Sequence, residues 1–383
     1  MKDNIINVGV NDHITDLFEG QYKIPNGMAY NSFVILDEKI AVISTVDQKF
    51  KDMWLDNIAK ALNGKKPRYL IIQHVEPDHS GSINDFMKKY PNTTIVSSPQ
   101  GFMMMNQFFG KDYKENRIVI SDAYQLNLGV HNLECITAPM VHWPEVFFML
   151  EDDSKTLFSA DAFGKFGAND VEEEWACEAR RYYFGIVGKY GVQVQNVLNK
   201  LKGLGIKRIC PLHGPVLENN ISYYVDLYKT WSSYSTESDG IFIAFTSVYG
   251  NTKNAVNMLK DKLIENGAKK VVLCDLARDD LAEAVEDAFR YGKVVFASTT
   301  YNNGIFPFMR EFLNELVERN FQNKTIAIID NGTWAPQVER IIKQSFANSN
   351  NLKFIEPVIK MLSAPTAKTN EEINTLALNL INS

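Results

Sequence analysis

The chain has 383 residues, enough for two domains. Hydrophobic residues make up 45% and charged residues 22%, the balance of an ordinary globular protein. A net charge of −6 argues against nucleic acid as a partner, no apolar run approaches the roughly 18 residues of a membrane span, and the N-terminus has no apolar signal core. Four scattered cysteines, Cys135, Cys177, Cys210 and Cys274, form no C-x-x-C pair. They fit a reducing cytoplasm, exclude a cysteine-ligated iron–sulfur or rubredoxin centre made by this chain alone, and are expected to be small buried side chains.

In chain order, "NSFVILDEKIAVIST" reads as two strands joined by an Asp-Glu turn, and "DMWLDNIAKALNG" as a helix. "RYLII" is an apolar run with the character of a buried strand, and "IIQHVEPDHSGS" follows it at 71–82. That stretch holds His74, Glu76, Asp78 and His79 within six positions. Pro77 disfavours a helix there, and Ser80 or Ser82 is a cap candidate for the helix that follows. An extended 74–78 would aim His74, Glu76 and Asp78 to one side, with His79 turning in from the helix start. Imidazole and carboxylate together are ligands for a borderline or hard transition metal. The Met stripe of "QGFMMMNQFFG" is expected to fill core rather than to bind.

Two more of the six histidines follow strand-like runs, His142 in "APMVHWPE" and His213 in "CPLHGP". Asp161 in "LFSADAFG" ends a strand in the same way. Loops at strand ends are where a rigid scaffold presents functional groups, so seven such residues in one domain point to a shared dinuclear site. "EARRYYFG", with Arg180, Arg181, Tyr182 and Tyr183, reads as a helix face or as a segment lying behind that site.

From "TESDG" at 236–240 onward the pattern changes to strict strand–helix alternation, five of each, which demands a parallel sheet covered on both faces. The expected division is 1–236 and 237–383. The first strand of the second part, "IFIAF", runs into Thr246, Ser247, Val248, Tyr249, Gly250, Asn251 and Thr252. A hydroxyl-rich loop entering a helix N-terminus is a phosphate cradle, and without G-K-[ST] it is not a nucleotide-hydrolase loop. Two later loops leave the same end of the sheet. One carries Thr300, Tyr301, Asn302, Asn303 and Gly304, the other Asn331, Gly332, Thr333 and Trp334.

H-x-E-x-D-H followed by His, Asp and His resembles the metal-binding series of the flavodiiron proteins (A-type flavoproteins), and "TSVYGNT" resembles the flavodoxin loop for the FMN phosphate. The resemblance covers essentially the whole chain. It implies an α/β fold: a metallo-β-lactamase-like αβ/βα sandwich followed by a flavodoxin-like doubly wound parallel sheet. It implies that His74, Glu76 and His142 hold one iron, that Asp78, His79 and His213 hold the other, and that Asp161 bridges. It also implies FMN held by the loops named above and a tyrosine near the iron pair. Asn26 lies where some relatives carry a histidine lining the substrate pocket. Glu76 separates this reading from a zinc hydrolase of the same fold, which usually reads H-x-H-x-D-H, because an oxygen ligand suits ferric iron better than imidazole does. Such a hydrolase, and an electron carrier with a degenerate metal domain, are the competing classes. The activity implied is four-electron reduction of O2 to water, or reduction of NO to N2O, in the cytoplasm. Electrons would come from rubredoxin or reduced F420. The resemblance further implies a head-to-tail homodimer, or a dimer of such dimers.

Overall fold

The computed structural model describes residues 4–383. Packing divides them into two compact units: the chain up to Tyr183 with Val192–Lys229, and Phe184–Gly191 with Thr230–Ser383.

The first unit is built on two sheets. One has the order Ile5–Asn7, Phe33–Ile35, Ala41–Ile43, Tyr69–Ile71, Thr94–Ser97, Arg117–Val119, antiparallel at its start and parallel from Ala41–Ile43 onward. The other has the order Gln125–Asn127, Asn132–Thr137, Phe147–Glu151, Thr156–Phe158, Arg208–Cys210. Their inner faces share one core, in which Phe33, Ile35, Ile43 and Ile71 meet Leu133, Cys135, Phe147, Met149 and Phe158. The intervening Val34, Val42, Leu70 and Ile95 are also fully buried. Strands covered on both faces read as continuous apolar runs, which is why "FVI", "AVI" and "YLI" do not alternate. Helix Lys51–Leu62 buries Trp54, Leu55, Ile58 and Leu62 at helical spacing.

Strand direction brings the metal-ligand candidates together. Thr156–Phe158 and Arg208–Cys210 are parallel, so the chain leaves both at one end, toward Asp161 and His213. Phe147–Glu151 runs antiparallel to Thr156–Phe158, so its start, just after His142, lies at that same end. Gln73 ties in the first sheet: its buried amide donates to Phe147 O at 3.0 Å and Phe158 O at 2.8 Å. Each such bond contributes about 1 kcal/mol, and together they fix the loop after Ile71 against the second sheet.

Three local expectations are corrected. Pro77 does not keep 74–78 extended: Pro77–Ser80 is a short helical turn with proline at its first position, where the missing N–H costs nothing. Ser80 Oγ donates back to Val75 O at 2.5 Å and Glu76 O at 3.0 Å, closing the turn. In the Met stripe, Met105 is buried but Met103 is 55% exposed. Among the cysteines, Cys135, Cys210 and Cys274 are buried and Cys177 is exposed.

The second unit is a parallel sheet in the order Val271–Asp275, Ser238–Phe245, Tyr291–Tyr301, Thr325–Asn331, Lys353–Phe354, with Ile359–Met361 continuing the last edge. In chain order this is 2-1-3-4-5, the flavodoxin-like doubly wound arrangement. Helices Asn251–Glu265 and Ala367–Ile381 cover one face, burying Ala255, Val256, Leu259 and Leu263 against Ile373, Leu376 and Leu380. On the other face Phe296, Phe312, Phe321 and Phe346 form a contiguous aromatic cluster. The fifth strand is split in two, with a cis Glu356–Pro357 bond between its halves.

Lys324, just before the fourth strand, is 2% exposed, and its ammonium donates to Phe289 O. Burial outweighs the attraction of Glu237 and pulls its pKa from 10.5 to about 7. The unfolded chain keeps this proton up to the ordinary lysine value, while the folded chain releases it above about 7. Stability contributed here therefore rises with pH across that window and is lowest below it. Lys324→Met should flatten this rise, and denaturant titrations of both proteins between pH 7 and 10 check it. At neutral pH the gain from removing the buried charge is offset by about 1–3 kcal/mol for the unpaired Phe289 carbonyl. A slope unchanged in the variant would place the titrating group elsewhere.

Candidate metal centre

His74 and Glu76 stand on the part of the 72–80 loop before Pro77, and Asp78 and His79 on its helical half. The break at Pro77 sends the two pairs to different partners. His74, Glu76, His142 and Asp161 form one group whose ligand atoms lie within 4.8 Å of one another, and Asp78, His79 and His213 form a second.

In the first group His74 Nε2 and His142 Nε2 lie 3.1 and 3.2 Å from Glu76 Oε2. Asp161 Oδ2 is 3.2 Å from His142 Nε2 and 3.6 Å from His74 Nε2. In the second, His79 Nε2 and His213 Nε2 are 2.9 Å apart and lie 3.2 and 3.3 Å from Asp78 Oδ2. Two ligands at right angles, each about 2.1 Å from one ion, are about 3 Å apart, so these separations are edges of a coordination polyhedron. Asp161 faces both groups, since its other oxygen, Oδ1, is 3.1 Å from His79 Nε2. Both Asp78 oxygens and Asp161 Oδ1 are buried without a hydrogen-bond partner among the described residues. Buried carboxylates so placed call for a cation.

The outer ring nitrogens fix the tautomers. His74 Nδ1–H donates to Glu145 Oε1 at 2.8 Å, and His213 Nδ1–H to Ala29 O at 2.8 Å. Each leaves its Nε2 lone pair facing the centre. The electrostatics agree. Burial would lower the His74 and His142 pKa values, but Asp161, Glu145 and Glu76 raise the first well above normal, and Asp161 and Glu76 bring the second to about 9. Burial would raise Asp161, but His79 and His74 hold it well below the usual carboxylate range. Glu76 is likewise lowered against its burial, by His142 and His74. This is a pocket that demands positive charge, and imidazole, carboxylate and a near-neutral total suit a pair of divalent metals.

Helix Trp175–Tyr182 and the wide turn Tyr183–Val187 after it settle which tyrosine approaches. The Tyr182 hydroxyl donates to Asp161 Oδ2 at 3.0 Å, while the Tyr183 ring packs on Tyr228 with centroids 5.2 Å apart. Phe18 and Tyr30 lie edge-on to His213, and Trp143 edge-on to His74, walling the centre with aromatic surface. Glu19, next to Phe18, is raised to about 7 by burial of its carboxyl and the nearby charge of Glu76, although the residue as a whole is exposed. Asn26 does not join the seven: its amide donates to Glu173 Oε2 at 2.8 Å. Glu145, Tyr30 and Glu19 were missed in the sequence. Only Glu145, an acid three residues after His142, carried a signal.

In the second unit, loops after the first, third and fourth strands line a cavity of about 450 Å3, within the usual range for small-molecule sites. Ser247, Val248, Tyr249, Asn251 and Thr252 line it from the first loop, Thr300, Tyr301, Asn302 and Asn303 from the second, and Asn331, Gly332, Thr333 and Trp334 from the third. Thr246, Gly250 and Gly304 do not line it; Thr246 is buried, its hydroxyl 2.8 Å from that of Ser298. Thr299 and Ser363, which sequence reasoning did not single out, do. Gly250 caps helix Asn251–Glu265 at φ 90°, a conformation that suits glycine. Asn302 and Asn303, at φ 49° and 55°, make the two-residue turn that folds the third strand back onto Gly304–Ile305. Asn331 Nδ2 donates to Thr252 Oγ1 at 3.1 Å, joining the first and third loops. Thr299 Oγ1 is buried without a partner among the described residues. Free hydroxyls, a helix N-terminus and exposed aromatic rings, with Trp334 75% exposed, fit a phosphorylated flavin.

A family model described as "ODP family beta lactamase" matches residues 28–214. A putative diflavin flavoprotein A 3 from Nostoc is 30% identical over 278 residues, 71% of this chain. This chain spans about half, 48%, of that protein's length. The anaerobic nitric oxide reductase flavorubredoxin of Escherichia coli is 26% identical over 347 residues, 88% of this chain and 72% of that protein. The solved rubredoxin oxygen:oxidoreductase of the anaerobe Desulfovibrio gigas superposes with a TM-score of 0.91 at 25% identity, over 99% of this chain and 96% of that one. The chain belongs to the flavodiiron protein family. A flavodiiron chain of this kind joins a metallo-β-lactamase-like unit to a flavodoxin-like parallel sheet, the two architectures described above. Among the described residues no helix is long and apolar enough to cross a membrane.

Proposed function

We propose that this chain is an oxidoreductase that reduces O2 to water at a non-haem iron pair supplied with electrons by FMN. The overall change is O2 + 4 H+ + 4 e− → 2 H2O. The observation that carries it is the donor set of the first group, in which Glu76 faces both His74 and His142, a hard carboxylate where zinc hydrolases of this fold use imidazole. A second reading, 2 NO + 2 H+ + 2 e− → N2O + H2O, draws on the relative named as a nitric oxide reductase. Rubredoxin, named in the D. gigas protein, is the electron donor proposed, with reduced F420 as the alternative.

His74, Glu76 and His142 are the ligands assigned to one iron and Asp78, His79 and His213 to the other, with Asp161 shared. When bound, the irons and FMN supply the electron storage that side chains lack. The chain's own residues hold and shield the centre. Tyr182 fixes Asp161 by a hydrogen bond to a charged group, a contact of about 1.5–3 kcal/mol. Glu145 and the Ala29 carbonyl orient His74 and His213. Phe18, Tyr30 and Trp143 exclude bulk water and keep that charge unscreened. In the second unit the 246–252 loop takes the phosphate, and Trp334 with the 300–303 turn takes the ring.

Protein taken anaerobically from its native host should be yellow and carry about two irons and one FMN per chain, by the count of donor groups and cavities. Metal analysis and a visible spectrum test this. Stoichiometric zinc in that preparation would sink the proposal and favour a hydrolase.

A further inference from the structure

Glu145 is not among the seven ligand candidates, yet it is the carboxylate nearest to them from behind. Its side chain is fully buried. Oε1 accepts His74 Nδ1–H at 2.8 Å and Val75 N–H at 2.9 Å. Oε2 has no hydrogen-bond partner among the described residues. Ser98 Oγ donates to the Glu145 backbone carbonyl at 3.0 Å, so the residue is pinned at both ends. A buried carboxylate with two donors on one oxygen and none on the other is costly unless positive charge lies close by. The route to such charge is the His74 ring, whose other nitrogen faces the metal centre.

The second group has no counterpart. His213 Nδ1 meets the neutral Ala29 carbonyl, and His79 Nδ1 is buried without a partner among the described residues. A carboxylate behind a ligand imidazole draws its N–H proton outward and makes the ring a stronger donor. Edge-on to His74 lies Trp143, whose apolar ring keeps water from weakening the effect.

We propose that Glu145 is a positioning residue that makes the two metal half-sites unequal. Through His74 it enriches the metal of the first group, so that this metal gives up its electron first when the pair is oxidised by one electron. The inference rests on the iron-pair reading above. It adds an order of oxidation, with the His74 side leading.

The test compares wild type with Glu145→Gln, both loaded with ferrous iron under anaerobic conditions and titrated with redox mediators. Glutamine keeps an acceptor for His74 Nδ1–H and Val75 N–H and removes the charge. Iron content, the mixed-valence EPR signal and Mössbauer spectra are read alongside the potentials. The expected result is two irons retained, an upward shift of the first oxidation step, a narrower gap to the second, and a smaller maximum of the mixed-valence signal. Two bound irons with both steps and both spectra unchanged would overturn the role of Glu145 and leave the iron pair standing. If Glu145→Gln fails to take up iron, Glu145→Asp, which keeps the charge, decides. Iron retained with separate steps supports the proposal; iron lost or steps merged reduces Glu145 to a packing role and overturns it. A wild-type protein that binds no iron pair would remove the proposed function itself, and this inference with it.

Discussion

Asp161→Asn should lose at least about 100-fold in turnover of O2 and NO alike, more than any other carboxylate-to-amide change among the ligand candidates. Replacing a group that merely supports a metal ligand costs about 10–100-fold, and Asp161 is proposed as a ligand itself. Among the seven candidates it also faces both groups, Oδ2 at 3.2 Å from His142 Nε2 in its own group and Oδ1 at 3.1 Å from His79 Nε2 in the other. An amide keeps one good oxygen donor and presents N–H2 to the other side, so one half-site loses a ligand whichever way the amide turns. The lost negative charge adds to this, because four imidazoles and two metals then share two carboxylates in a buried pocket. Glu76→Gln touches one group only and should cost less. Tyr182→Phe, which removes the donor to Asp161 Oδ2 but no ligand, should cost least. Iron content separates the effects: Asp161→Asn should fall below two irons per chain, Tyr182→Phe should not. Near-normal turnover in Asp161→Asn with both irons bound would end the shared-ligand assignment.

The seven metal-ligand candidates were legible because histidine is scarce here. Four of the chain's six histidines belong to the centre; His13 pairs with Asp170 on the surface and His131 with Glu151. The doubly wound parallel sheet was legible because strand and helix alternate from Gly240 onward; its 2-1-3-4-5 order came from the structure. What the sequence hid were contacts made only when separate segments close on one another. Glu145 reaches His74 across 71 residues and Tyr182 reaches Asp161 across 21. Choosing Tyr182 over Tyr183 needed the exact phase of a helix that ends in a wide turn. Pro77 misled because proline breaks a helix interior but opens a helix start, and a four-residue turn has almost no interior. That turn matters, since it parts Asp78 and His79 from His74 and Glu76. Ser363 was invisible because it follows the split fifth strand, where Asn331 bonds both its N–H and its carbonyl and draws it to the cavity.

Two inactive variants should restore activity when combined. His142→Ala removes an imidazole from the first metal group and leaves the 246–252 loop intact. Gly250→Asp puts a negative charge beside the phosphate cradle, at a φ of 90° that strains any side chain, while leaving the metal centre untouched. Each alone should be inactive with a reduced donor, the first lacking iron and the second lacking FMN, and metal and flavin content confirm that before mixing. In a head-to-tail dimer the flavin of one subunit serves the iron pair of the other, so a two-fold dimer has two junctions. After dissociation and reassembly at equal amounts, about half the dimers are mixed. A mixed dimer pairs the intact flavin of the His142→Ala subunit with the intact iron pair of the Gly250→Asp subunit, and its second junction lacks both. Activity should therefore return to about a quarter of wild type per chain, by the statistics of random two-fold pairing. Electron transfer confined to one chain predicts none, because no chain in the mixture carries both cofactors. Subunit exchange verified by differential tags, with activity still absent, would decide for the single-chain route and against the head-to-tail dimer.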